Sequence, residues 1–90
     1  MITITIKMNT NKYMNRIDNL FDSIQMQKVD EGIYFSDGDV LTNCYHAAKE
    51  LMKRDWFREG AISMSWIVDD EPEEDLLALF NKRIIDEGRL

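Results

Sequence analysis

The stretch Ile2-Thr3-Ile4-Thr5-Ile6-Lys7-Met8 decides the fold, because apolar and polar residues alternate strictly along it. Successive side chains of a β-strand point to opposite faces, so this period of two predicts a strand with one buried face. The same period returns at residues 61–68, where the positions expected to face the core are Ile62, Met64, Trp66 and Val68. Two such strands predict a sheet with one apolar side.

The other side of the predicted sheet is expected to be open, because the strands of a parallel sheet covered on both faces read as continuous apolar runs. This side would present Thr3, Thr5, Lys7, Ser63 and Ser65, with Ile67 as an apolar exception. Such a face, or an unpaired sheet edge, is a candidate surface for pairing with a second copy of the chain. The alternative is a face that is only solvated.

Three amphipathic helices are predicted from apolar residues that recur at three- and four-residue intervals. The first is capped by Asn9 or Thr10 and extends to about residue 27. The second spans about residues 40–60 and the third about residues 72–87, with glycines at 60 and 88 marking their ends. The three stripes are Tyr13, Ile17, Leu20, Phe21 and Ile24; Val40, Leu41, Cys44, Ala48, Leu51 and Met52; and Leu76, Leu77, Phe80, Ile84 and Ile85.

A third strand is predicted at Ile33-Tyr34-Phe35, which follows Gly32, and the segment after it is ambiguous. Ser36-Asp37-Gly38-Asp39 can form a hairpin turn between two short strands. It can also form a capping box, in which Ser36 caps the next helix and Asp39 reaches back. The helical stripe that starts just after Gly38 favours the helix.

The element order β-α-β-α-β-α predicts an α+β or α/β fold built as a two-layer sandwich. A small three-stranded mixed sheet would carry three helices on its apolar face, and residues 1–90 would form one compact domain. The core is expected to join the helix stripes to Ile4, Ile6, Met64 and Trp66. Trp66, in mid-strand, is expected to be more buried than Trp56, which lies among charges.

Six of the chain's seventeen acidic residues lie in the seven positions Asp69-Asp70-Glu71-Pro72-Glu73-Glu74-Asp75. Since the formal net charge is −6, the rest of the chain is neutral. Acids are favourable at a helix N-terminus, and Asp70 and Glu73 have capping-box spacing with Pro72 suited to the first turn. That accounts for one or two acids. The others are either solvated or a binding surface, because like charges repel and the helix dipole acts only over one turn.

As a binding surface, the acidic run would repel phosphate and anionic lipid and would be drawn to a basic protein surface. Large basic surfaces are most often those with which proteins hold nucleic acid. The expected function is therefore a small non-enzymatic inhibitor or modulator, like phage anti-defence proteins that mimic nucleic acid. It would dock on a nuclease or another nucleic-acid-binding protein through Asp69, Asp70, Glu71, Glu73, Glu74 and Asp75.

Two alternatives stay open. A homodimeric structural or adaptor domain would use the open sheet face or an edge. A module for single-stranded nucleic acid would use charge and stacking at the end of the second helix, through Lys49, Lys53, Arg54, Trp56 and Arg58. The net charge of −6 disfavours direct nucleic-acid binding, because such domains usually carry a positive balance.

Catalysis is not expected. Cys44 and His46 lie two positions apart on a predicted helix, so they point about 200° apart and cannot form a nucleophile–base pair. One Cys and one His cannot complete a tetrahedral zinc site, and Asp37-Gly38-Asp39 lacks the further ligands of an EF-hand. No metal and no other cofactor is expected. No apolar run approaches the ~20 residues of a membrane span and the N-terminal run does not read as a signal peptide, so the cytoplasm is expected.

Overall fold

The structure, a computed structural model, describes residues 1–87, with side chains up to residue 82. Its elements in chain order are β1 (Ile2–Met8), α1 (Met14–Ser23), β2 (Gln27–Asp30), β3 (Ile33–Ser36), α2 (Leu41–Met52), α3 (Asp55–Gly60), β4 (Ala61–Val68), β5 (Glu74–Asp75) and α4 (Leu76–Glu87). The side chains of the predicted stripe positions Ile84 and Ile85, and the helix end at Gly88, lie outside this description.

The described residues form a mixed α+β fold with four helices and a five-stranded sheet in the order β2-β3-β1-β4-β5. Every neighbouring pair is antiparallel, and β1 lies in the middle. The predicted three-stranded mixed sheet with three helices is therefore wrong in strand number, direction and helix number. The additional strands β2 and β5 are the two edges of the sheet. Both are short and charged, which discourages pairing between edges of different molecules.

The hairpin between β2 and β3 explains why a second strand lies where only one was predicted. Its turn contains Gly32, which adopts a φ of 74° and whose carbonyl oxygen accepts a hydrogen bond from the backbone N–H of Ile6 at 2.8 Å. A Cβ at Gly32 would lie 2.2 Å from the carbonyl oxygen of Ile6. Glycine is thus required here by both its conformation and its close contact with β1.

Helix α1 ends at Ser23, four residues earlier than predicted, because the chain forms a Schellman motif there. Gln25 adopts a left-handed φ of 66° and donates its backbone N–H to Asp22, while the N–H of Met26 reaches Phe21 at 3.0 Å. These bonds satisfy carbonyls that the helix end would otherwise leave free. Met26 is buried and directs the chain into β2.

The predicted second helix is divided into α2 and α3 at Arg54, whose extended ψ of 126° breaks the helical path. The guanidinium of Arg58 donates to the carbonyl of Met52 at 2.7 Å and so satisfies the end of α2. At the start of α2 the predicted preference for a helix is confirmed, but neither the hairpin turn nor the capping box predicted for residues 36–39 is formed. Ser36 accepts from the N–H of Gly38 at 3.1 Å, and Val40, the residue before α2, makes no side-chain cap.

The core joins the buried residues of the helices to the predicted apolar side of β1 and β4. Ile4, Ile6, Met64 and Trp66 all belong to it, as predicted. Trp66 is 8% exposed, whereas Trp56 is half-buried, so that prediction is also confirmed. Among residues 1–82, the buried members of the core are Ile2, Ile4, Ile6, Met14, Ile17, Phe21, Met26, Tyr34, Cys44, Ala47, Ala48, Leu51, Met52, Phe57, Met64, Trp66, Leu76 and Phe80.

Ile62 does not face the core as predicted and is 63% exposed. The register between β1 and β4 shifts after the Lys7–Ser63 pair, so that Met8 pairs with Ala61 and Ile62 is left without a partner. A β-bulge of this kind redirects the side chain of the additional residue. The alternation in the sequence does not reveal the bulge.

The side of the sheet away from the core carries an apolar row next to the polar residues that were predicted for it. Thr3 lies in register between Phe35 and Ile67, and neither of these apolar residues joins the core. Ile67 is 41% exposed. Pairing of this face with a second copy stays a prediction.

Candidate functional site

The acidic run does not begin a helix as predicted. Residues 69–71 form a turn after β4, Glu74 and Asp75 form the edge strand β5, and α4 begins only at Leu76. Pro72 therefore lies outside the helix, and the capping box of Asp70 and Glu73 is wrong. The reason is the pairing of β5 with Ser65 and Trp66, which holds the second half of the run in an extended conformation.

Two acids of the run are bound to side chains of β4. Glu73 accepts a hydrogen bond from the hydroxyl of Ser65 at 3.1 Å. Glu74 accepts one from the indole N–H of Trp66 at 2.9 Å. Both carboxylates therefore have a structural role on the sheet, which the sequence analysis did not predict.

Two further acids bind backbone groups at the ends of the segment. Asp75 accepts the N–H of Ala78 at 3.0 Å and so caps α4, in place of the predicted cap at Asp70. Asp69 lies 2.9 Å from the N-terminal amine of Met1 and adopts a left-handed φ of 51°. Both members of this ion pair are strongly exposed, so it contributes little to stability.

The tertiary structure adds a second acidic segment to the run. Ile2 pairs with Ser36 on one side and with Val68 on the other, so the chain leaves β3 and β4 at the same end of the sheet. Asp37 and Asp39 consequently line one cleft of about 290 Å³ together with Asp69. We call residues 37–39 and 69–75, together with Met1 and Leu41 at this cleft, the acidic surface; its side chains include eight carboxylates and no Lys, Arg or His.

The acidic surface also presents apolar side chains. Met1 is 62% exposed and Leu41 is 42% exposed, and both line the cleft with Asp69. Leu41 was predicted to lie on the buried stripe of the second helix, so this position is a correction. Within the described residues, Asp37, Asp39, Asp70 and Glu71 form no side-chain hydrogen bond or ion pair.

The predicted basic and aromatic site at the end of α2 is largely engaged in internal contacts. Glu50 pairs with Lys53 at 3.5 Å and with Arg54 at 3.2 Å, and Arg58 pairs with Asp55. Trp56 is stacked on Tyr13, with ring centroids 4.7 Å apart. Among the residues predicted for this site, Lys49 alone makes no ion pair or ring contact in the described part of the chain.

Helix α1 and the residue before it contribute to this site, which the sequence analysis missed. The guanidinium of Arg16 lies 5.6 Å from the ring centre of Tyr13 and 5.9 Å from that of Trp56. A cleft of about 340 Å³, which we call the basic cleft, is lined by Arg16, Leu20, Glu50, Leu51, Arg54 and Trp56. No local signal in the sequence links residues 13–20 to Trp56, because only the packing of α1 beside α2 brings them together.

The acidic surface and the basic cleft lie at opposite ends of the molecule. Strand β1 starts at the acidic surface and ends at Met8, and the following Asn9 donates its N–H to the carbonyl of Gly60 at the end of α3. Helix α2 likewise starts at Leu41 on the acidic surface and ends beside the basic cleft. Seven strand residues at about 3.3 Å each separate the two ends by about 20 Å.

The remaining candidate residues, Cys44 and His46, lie in different environments. Cys44 is fully buried, and desolvation raises the pKa of its thiol to about 12, whereas His46 is exposed. Within residues 1–82, no group of three or more His, Cys, Asp or Glu side chains is placed to hold a metal ion. None of the described helices is both long and apolar enough to cross a membrane.

No family model matches this chain, and no curated protein matches it.

Proposed function

We propose that this protein is a non-enzymatic binding protein that docks its acidic surface on a basic surface of another protein. The observation that supports the proposal is the meeting of two acidic segments around one cleft. Asp37, Asp39 and Asp69 line this cleft, and the two segments together carry eight carboxylates. Within the described residues none of the eight pairs with a Lys or Arg side chain, although Asp69 pairs with the N-terminal amine. Their charge is thus available to a partner.

The sign and density of this charge narrow the class of partner. A surface with several uncompensated carboxylates repels phosphate groups and accelerates encounter with a positively charged surface. Basic protein surfaces of matching extent are mostly those that bind nucleic acid. The proposed partner is therefore a nuclease or another nucleic-acid-binding protein, and occupation of its basic surface would inhibit or modulate it.

The way the acids are held suits a preformed interface. Glu73 and Glu74 are hydrogen-bonded to β4, and Asp75 is held by α4. Carboxylates held in this way lose little conformational entropy when a partner binds. The exposed Met1 and Leu41 add apolar area to the same surface. An apolar contact surrounded by charges is the usual composition of a specific interface.

The test is a comparison of association kinetics for two variants of equal charge. The first variant replaces Asp70 by Asn and Glu71 by Gln on the acidic surface. The control replaces Asp22 by Asn and Glu59 by Gln, two exposed acids elsewhere that form no side-chain bond within the described residues. The partner is first recovered by co-purification from the native host.

We expect the first variant to associate about tenfold more slowly than wild type and to depend less on salt, because steering is screened over about 8–10 Å. The control should keep the wild-type rate. An additional pair, Asp37→Asn with Asp39→Asn, tests whether the second segment takes part. Equal rates and equal salt dependence for wild type and both acidic-surface variants would rule out the proposed function.

A further inference from the structure

The basic cleft contains a cation that the fold leaves without a counter-charge. Arg16 lies over the rings of Tyr13 and Trp56, and it forms no ion pair within the described residues. Leu51 is buried and Leu20 is half-buried at the same cleft, so apolar and cationic groups stand side by side. A ligand that complements this cleft would offer an apolar side chain together with carboxylates.

The balance of charge around the cleft is positive. The segments 12–16 and 49–60, which supply five of its six lining residues, contain six Lys or Arg and three Asp or Glu. Glu50 lies inside the cleft and shares its carboxylate between Lys53 and Arg54. Glu50 repels phosphate and carboxylate groups alike, so the attraction for an acidic occupant comes from Arg16 and the excess of cations in these segments.

We propose that the basic cleft binds the acidic surface of a second copy of this chain, so that molecules associate head to tail. The acidic surface has the two properties that the cleft requires. Its carboxylates complement Arg16 and the surrounding cations, and its exposed Leu41 and Met1 match the apolar side chains of the cleft. The inference goes beyond the proposed function, since it holds with or without a foreign partner.

The opposite placement of the two surfaces determines the type of assembly. A contact between different patches of identical molecules is heterologous, so each added copy leaves one free surface of each kind. Association is therefore expected to give a series of open oligomers rather than a closed dimer. The net charge of −6 opposes assembly, so the contact is weak. Because the contact itself is an attraction between opposite charges, added salt is expected to weaken it further.

The experiment is sedimentation velocity at rising protein concentration. At about 10 mM salt, where the screening length is about 30 Å, we expect the sedimentation coefficient of wild type to rise with concentration. At about 1 M salt, where the screening length is about 3 Å, it should stay at the monomer value. Arg16→Glu on the cleft side and the pair Asp37→Lys with Asp39→Lys on the acidic side should each remain monomeric at low salt.

Two additional measurements make the result specific. The control Lys82→Glu lies on α4 and changes the charge by the same amount as Arg16→Glu. It should associate like wild type. An equimolar mixture of the cleft variant and the acidic-surface variant should form dimers and nothing larger, because the mixture restores one cleft and one acidic surface per pair. Far-UV circular dichroism verifies that each variant is folded.

Several outcomes would overturn the proposal. One is a wild-type sedimentation coefficient that does not depend on concentration at low salt. A second is an equimolar mixture of the two variants that stays monomeric. A third is association that Ile67→Lys abolishes and Arg16→Glu leaves intact, because that result would assign self-association to the open sheet face. Binding of labelled oligothymidine by monomeric wild type, and its loss in Arg16→Glu, would assign the cleft to single-stranded nucleic acid instead.

Discussion

The indole N–H of Trp66 donates a hydrogen bond to the carboxylate of Glu74 across 2.9 Å. This contact connects the acidic run directly to the core, since Trp66 is 8% exposed and belongs to the core cluster. The carboxylates of the acidic run are consequently of two kinds. Glu73, Glu74 and Asp75 are bonded to the protein, whereas Asp70 and Glu71 extend into solvent without a side-chain bond in the described structure.

Replacing Glu74 by Ala should lower the free energy of unfolding by about 1–2 kcal/mol, because the indole N–H loses a charged hydrogen-bond acceptor. The control Glu71→Ala, which removes a similar exposed carboxylate without a partner, should change it by no more than ~0.5 kcal/mol. Urea unfolding monitored by tryptophan fluorescence measures both. Equal effects of the two substitutions would mean that the Trp66–Glu74 bond does not stabilise the fold.

Replacing Trp66 by Ala should cost ~3–5 kcal/mol, because it removes a large aromatic side chain from the core. Trp56 is half-buried and stacked on Tyr13, so Trp56→Ala should cost less, about 1–2 kcal/mol. Chemical denaturation followed by far-UV circular dichroism gives both values without relying on tryptophan emission. A larger loss for Trp56→Ala would contradict the assignment of the core face of β4.

Replacing Gln25 by Gly should stabilise the protein by about 0.5–1 kcal/mol. Gln25 adopts a φ of 66° at the end of α1, a conformation that is unfavourable for a residue with a Cβ and free of strain for glycine. Gln27→Gly is a suitable control, since glycine in a strand is unfavourable and should destabilise. A rise in melting temperature for the first and a fall for the second are the expected results. Destabilisation by Gln25→Gly would show that the side chain of Gln25 contributes more to stability than relief of its backbone strain.

Stability should decrease at alkaline pH in a way that depends on Cys44. Burial raises the pKa of its thiol from the ordinary 9.0 to about 12, so the folded state retains a proton that the unfolded state loses. The corresponding stability is fully present below pH 9.0 and is lost as the pH rises towards about 12. The slope is about 1.4 kcal/mol per pH unit for one proton.

The variant Cys44→Ala separates this effect from other titrations. Burial and the hydrogen bond to Asp18 also raise the pKa of Tyr34 above its ordinary 10.0. Ionisation of Tyr34 therefore also lowers stability at alkaline pH, and it does so equally in wild type and in Cys44→Ala. Urea unfolding with a reductant present should therefore show that the stability difference between wild type and Cys44→Ala narrows as the pH rises above 9.0. A difference that stays constant with pH would show that Cys44 ionises equally in both states.

Periodicity in the sequence was sufficient to predict β1, most of β4 and most of the described stripe positions of the helices, but not the exposure of Leu41. Each of these elements buries one face in the same core, so the environment of every residue alternates with a period that the sequence must follow. The burial of Trp66 and Cys44 and the exposure of His46 could be predicted for this reason. The acidic run was equally visible, because it is a local property of composition.

The remaining features depended on the tertiary structure. Strands β2 and β5 are exposed at every residue, so no burial pattern marks them, and their conformation comes from hydrogen bonding to β3 and β4. Asp37 meets Asp69 only because Ile2 pairs with both β3 and β4. Arg16 meets Trp56 only because α1 and α3 both pack beside α2. The sequence by itself determined where the charge lies and most of the core faces, but not the exposure of Leu41 and Ile62. Contacts between distant segments decided which charges act together.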